Sequence, residues 1–199
     1  MPTKTKKYIR YSLIGVLALS FFAYWLLIAG MKPKYDIIFA VSFQHGLSIY
    51  LQSLLYVLVF FQVLIARKVS NAIAVRKQTK KVISKLAGLI VLEWLLFWIP
   101  FLGSYYLFKS HNFFKMGDFK FGLWILLAHM LLMLFLMLSL LLAYRLPFPY
   151  IIITLVIAIT WSYHLCFEFT LILPKYSKIF DPLYRATHYI YLGICHIFL

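Results

Sequence analysis

Hydrophobic residues in this chain come in long unbroken runs rather than as faces. Such runs extend over about 12–30, 46–66, 86–107, 121–144 and 150–173. A run of about 20 apolar residues is the length that crosses the hydrocarbon layer of a bilayer as an α-helix. Only helices and closed barrels satisfy every backbone polar group there, and runs this long and this apolar exclude the alternating pattern of a barrel strand. The expected fold is therefore all-α: a polytopic transmembrane bundle of about five to six spans, forming one domain over 1–199. The stretch 186–199 is short for a full span and is expected to cross, to tilt into a thin region, or to lie in the interface.

Two places break the pattern. Residues 37–66 are apolar for longer than one crossing needs, and Gln44, His45 and Gly46 interrupt them. The second span is placed after the interruption, with 37–45 at the interface or re-entering. Within the third run, Pro100 predicts a kink. The fourth and fifth runs are joined by the short turn RLPFP at 145–149.

Only the segment 67–85, RKVSNAIAVRKQTKKVISK, reads as an amphipathic helix. Ala72, Val75, Thr79, Val82 and Leu86 recur at spacings of three and four. Lys77, Lys81 and Lys85 repeat on the other face, with Arg76 and Lys80 beside them. A helix with such a cationic side either lies on anionic headgroups or docks a cytoplasmic partner.

Composition sharpens this picture. Of 199 residues, 64% are hydrophobic and 13% charged, too apolar a balance for a soluble fold. Lys and Arg number 20 against 5 Asp and Glu, a net charge of +15. In a membrane protein that excess points to anionic lipid headgroups rather than nucleic acid. The 67–85 segment holds seven basic residues and no acid. Under the positive-inside rule it lies in the cytoplasm, and so does the N-terminus. That orientation puts 12 basic residues inside and 8 outside. The basic start and the apolar run behind it mimic a signal peptide, but the run spans and lacks a cleavage site, so it is read as a retained first helix. Cys166 and Cys195 sit in apolar stretches and read as small buried hydrophobes.

Chemistry is confined to a few polar residues at membrane depth: Glu93, His129, His164 and Glu168. A charge at the bilayer centre costs about 2.5–3.5 kcal/mol even on the lenient insertion scales, so these side chains should face the interior and pair. His164 and Glu168 are four apart and share a helix face, within reach of each other or of Glu93 and His129. Three readings compete: a structural hydrogen bond between helices, a proton or substrate path, and a metal site. An H-x-x-x-E pair is common by chance, so no metal or cofactor is expected. His188, Cys195 and His196 near the end of the chain read as interfacial residues. The chain has no phosphate-binding P-loop, no H-E-x-x-H motif and no G-x-S-x-G elbow. No catalytic residue can be named from it.

The order of apolar LSIYLQSLLYVLVFFQVLIA, basic RKVSNAIAVRKQTKKVISK and apolar LAGLIVLEWLLFWIPFLGSYYL over 47–107 resembles the small permease subunits of type-2 ATP-binding-cassette exporters. In Gram-positive bacteria many of these serve bacteriocin or lantibiotic export and self-immunity. The resemblance implies about six helices and a basic cytoplasmic helix that docks a separate ATPase subunit. Carried over to this chain, the docking residues would be Arg76, Lys77, Lys80, Lys81 and Lys85. The family usually has an acidic residue just after the second span, where this chain has Arg67 and Lys68. The expected function is thus a cell-membrane permease that exports a substrate such as a peptide, as a homo- or hetero-oligomer. Two alternatives stand beside it: a non-catalytic assembly or immunity subunit of a larger membrane complex, and a membrane-embedded His/Glu enzyme.

Overall fold

A computed structural model describes residues 3–29, 35–68, 77–108 and 113–181. The described chain is helical, with no strand among those residues. Five helices are long and apolar enough to cross a membrane: α1 (Ile9–Ala29), α2 (Gly46–Lys68), α3 (Thr79–Phe108), α4 (Phe119–Tyr144) and α5 (Pro149–Tyr176). Their outward faces carry Leu26, Phe61, Ile99, Trp124, Phe135 and Tyr150, all exposed. Large aromatic and aliphatic side chains on every span are stable outward only if lipid is the solvent. The protein is a multi-pass helical membrane protein.

The bundle has two parts. The first, α1, lies along α3, while α2, the end of α4 and α5 pack on one another. Phe97, Trp98, Phe101 and Tyr105 of α3 are buried in one core with Val59, Val63, Met133 and Met137. Hydrogen bonds between spans hold the parts together. The Ser20 hydroxyl donates to the Phe97 carbonyl at 2.6 Å, and the Trp94 indole to the Met130 carbonyl at 3.0 Å. The helix runs on through Pro100 to Phe108, without the one hydrogen bond that proline cannot donate.

Each end of the bundle has its own fastening. At the end shared by α2 and the α4–α5 turn, Arg67 donates to the carbonyls of Ala143 at 2.8 Å, Leu146 at 2.6 Å and Pro147 at 3.3 Å. These carbonyls belong to a helix C-terminus and its turn, which otherwise lack partners, and a forked guanidinium satisfies several at once. At the opposite end Asp36 is fully buried. Its carboxylate accepts from the Tyr176 hydroxyl at 2.5 Å, the Met116 amide at 3.1 Å and the Phe39 amide at 3.2 Å. Asp118 caps α4 by accepting from the Phe121 amide at 2.9 Å.

The stretch 37–45 forms a short buried helical turn, Phe39–Phe43, packed within the bundle. It ends at Gln44, whose backbone is extended, and α2 restarts at Gly46. Over 67–85 the expected single amphipathic helix is not what the described residues form. Helix α2 runs on to Lys68, Lys77 stands in a turn with φ 52°, and α3 begins at Thr79 rather than at 86. Lys77 therefore precedes the helix that carries Lys81 and Lys85, and the three make no common stripe. Residues 69–76 and 186–199 lie outside the described residues.

Candidate functional site

Polar side chains from three spans and the 44–46 break meet in one hydrogen-bonded row inside the bundle. His45 Nδ1 lies 2.9 Å from His164 Nε2. His164 Nδ1 lies 2.9 Å from Glu168 Oε2, and Glu168 Oε1 lies 2.9 Å from His129 Nδ1. His129 Nε2 then lies 2.6 Å from Gln52 Nε2. His164, Glu168, His129 and Gln52 are all buried, while His45 is exposed.

Local backbone geometry brings these groups to one level. Residues Gly46–Leu51 and Tyr163–Ile172 have the wider i→i+5 hydrogen bonding of a π-helix. Such segments are uncommon and concentrate at functional sites. Here one carries His164 and Glu168, and the other lies between His45 and Gln52. At about 1.5 Å per residue, His129 sits about 15 Å along α4 from its Phe119 start. The row therefore lies at membrane depth, nearer the Asp36 end than the Arg67 end.

Donor and acceptor rules allow a consistent proton arrangement with neutral imidazoles. A carboxylate only accepts, so His164 and His129 both present Nδ1–H to Glu168. Their Nε2 atoms are then lone-pair acceptors. Gln52 fills one with its amide N–H, and His45 fills the other with Nδ1–H. Every contact is satisfied with three neutral imidazoles and one anionic Glu168. Each bond to the carboxylate is charge-assisted and contributes about 1.5–3 kcal/mol. The Ser42 hydroxyl and Tyr163 lie beside the same carboxylate, and the Trp98 ring stands edge-on to His129 at 6.1 Å between centroids. A cavity of about 10 Å³, the scale of one water, opens between Gln52, Tyr56, His129, Thr160 and His164.

Of the four ionisable residues singled out at membrane depth, the structure joins three. Glu93 is separate: it is buried and accepts from Ser12 Oγ at 2.5 Å and from Gln62 Nε2 at 2.6 Å, linking α1, α2 and α3. Gln62 also donates to Ser12. His45 and Gln52 were not singled out as site residues. Their signal in the sequence is a polar residue inside an apolar run, which at 44–46 reads as an interruption of the span. Lys77, Lys80, Lys81 and Lys85 are exposed around the start of α3, and Arg76 lies outside the described residues. So do His188, Cys195 and His196.

Comparison with known protein families, characterised proteins and solved structures gave no match. The site must therefore be read from its own chemistry. Among the described residues no group of three or more His, Cys, Asp and Glu side chains is arranged to hold a metal ion. The reason is visible in the row itself: Glu168 takes both Nδ1 atoms, and His45 and Gln52 take both Nε2 atoms. What it can do is hold, and redistribute, protons.

Proposed function

We propose that this chain is the membrane-spanning permease subunit of a transporter driven by a separate ATPase, placed in the cell membrane with its N-terminus in the cytoplasm. The observation that carries the reading is the buried row from His45 to Gln52. Interhelical hydrogen bonds in membranes average only about 0.6 kcal/mol, whereas an ionised side chain at the centre costs at least about 2.5–3.5. Helix cohesion alone is a poor reason for an anionic glutamate there, because a hydroxyl or amide would serve at lower cost. A polar row shared by α2, α4 and α5 is suited to a part that changes state when those helices move. The cavity beside the row is the size of a water, too small for a solute such as a peptide. The exposed lysines Lys77, Lys80, Lys81 and Lys85, gathered at one end, are a surface for anionic headgroups and for the ATPase.

The chain, tagged and extracted in mild detergent, should bring down an ATPase at fixed ratio, and its hydrolysis should depend on this subunit. Glu168→Gln should assemble equally and break the dependence. Co-purification of a large membrane enzyme instead would favour the assembly-subunit reading. A stoichiometric transition metal that disappears in His164→Ala would favour the embedded enzyme.

A further inference from the structure

We propose that the His–Glu row is a binding site for a single proton, loaded through His45 and closed at Gln52. The inference rests on the transport reading above and names the ligand of the same site. The arrangement with three neutral imidazoles leaves one net negative charge, on Glu168, buried in an apolar bundle. The described lysines and arginines are carried near the ends of the spans, not beside this carboxylate. The titratable groups that face it are His164 and Tyr163 from α5, and His129 from α4. His45, from the 44–46 break, faces His164, and Tyr56 of α2 lines the adjoining cavity. Trp98 of α3 faces His129 and does not titrate. None of these supplies a fixed positive charge, so one proton is the counter-charge the site can take.

The route follows from the hydrogen bonds. In this route a proton enters at Nε2 of His45, the one member of the row with exposed surface. The Nδ1 proton of His45 moves across the 2.9 Å bond to Nε2 of His164. His45 is left neutral, with its proton on Nε2 and its Nδ1 accepting. His164 becomes an imidazolium that donates Nδ1–H to Glu168 and Nε2–H back to His45. One N–H bond forms and one is exchanged, and the row goes from a charge of minus one to zero. The far end stops the proton. His129 Nε2 accepts from the Gln52 amide, and an amide N–H has no lone pair to take a proton onward. The row is thus a store with one entrance, not a wire across the membrane.

Nitrogen NMR of protein labelled with ¹⁵N-histidine in lipid bilayers tests this. At alkaline pH, His45, His129 and His164 should all be neutral Nδ1–H tautomers. Over a titration to acid pH, one proton equivalent should appear in the row as imidazolium on His164. In Glu168→Gln the imidazolium signal of His164 should be lost over that titration. In His45→Phe the same proton should still bind, but its exchange with water should slow. The idea is overturned if the wild-type row shows Nε2–H tautomers at alkaline pH, if it takes up no proton, or if His164 titrates identically without the Glu168 charge. It is equally overturned if exchange at His164 is as fast in His45→Phe. The wild-type tautomers alone decide the case should either variant fail to fold. None of these readouts involves an ATPase, so a failure here and a failure of the permease reading are separable.

Discussion

Glu168 and Glu93 look alike in the sequence, each a lone acid inside an apolar run, yet they are held in different ways. Glu168 accepts from two imidazoles, whereas Glu93 accepts from a hydroxyl and an amide. No spacing rule separates them, because the partners Ser12, Gln62, Gln52 and His129 come from other spans. Only the pair His164 and Glu168, four apart on one helix, was legible locally. The two kinds of acceptor predict an order of stability at position 168. Glu168→Ala leaves two buried imidazole N–H groups unpaired, at about 1–3 kcal/mol each. Glu168→Gln keeps one carbonyl acceptor and can donate to the other imidazole after a tautomer change. Thermal unfolding in detergent should show a large loss for alanine and a small one for glutamine. Equal losses would mean that the carboxylate does not serve both rings.

At the scale of elements, span existence was legible and phase was not. Runs of apolar residues mark helices that must satisfy their own backbone in lipid, and no tertiary contact is needed to see them. Where a helix begins is a different matter. Nothing in KQTKK announces that Lys77 takes a positive φ and that α3 starts at Thr79, since Lys and Gln are ordinary helix residues. Nor does the sequence show which glycines are spacers. A Cβ on Gly117 would collide with the Tyr176 carbonyl and ring, and one on Gly122 with the rings of Phe114 and Tyr176. Gly88 and Gly103 on α3 have nothing within 4 Å of that position. Gly117→Ala should cost about 1–3 kcal/mol through overpacking, because a backbone carbonyl cannot swing aside. Gly88→Ala should be neutral or stabilise by up to about 1 kcal/mol. Melting temperatures of the two variants check the contrast, and a tolerated Gly117→Ala would remove the Tyr176 contact from the account.

The whole molecule is polarised. Lys77, Lys80, Lys81, Lys85 and the Arg67 fastening lie at one end, with no acid among the described residues there, and Asp36 and Asp118 lie at the other, among Lys115, Lys120, Lys175 and Lys178. Positive charge near span ends sets orientation during insertion, so the end with Lys77 and Lys85 should face the cytoplasm. Single cysteines at Lys77 and at Lys120, in a background without Cys166 and Cys195, report this through a membrane-impermeant thiol reagent. Labelling from outside at 120 and protection at 77 is expected; the reverse pattern would invert the topology and the side from which His45 is loaded. Charge reversal at Lys80, Lys81 and Lys85, once normal insertion is verified, should weaken assembly with a cytoplasmic subunit. Unchanged assembly would confine those lysines to lipid.

One carboxylate is held between imidazoles from two spans, and the composition makes that arrangement direct to measure. The chain contains two glutamates, Glu93 and Glu168. With ¹³C in the glutamate carboxyls and ¹⁵N in histidine, dipolar recoupling in bilayers reads each carboxyl carbon against nearby imidazole nitrogen. One carboxyl signal should be dephased by two Nδ1 atoms at hydrogen-bonding distance, His129 and His164, and should lose half of that effect in His129→Phe. The other, Glu93, should show no imidazole contact. Two undephased signals, or a single-nitrogen contact that His129→Phe leaves unchanged, would contradict the site.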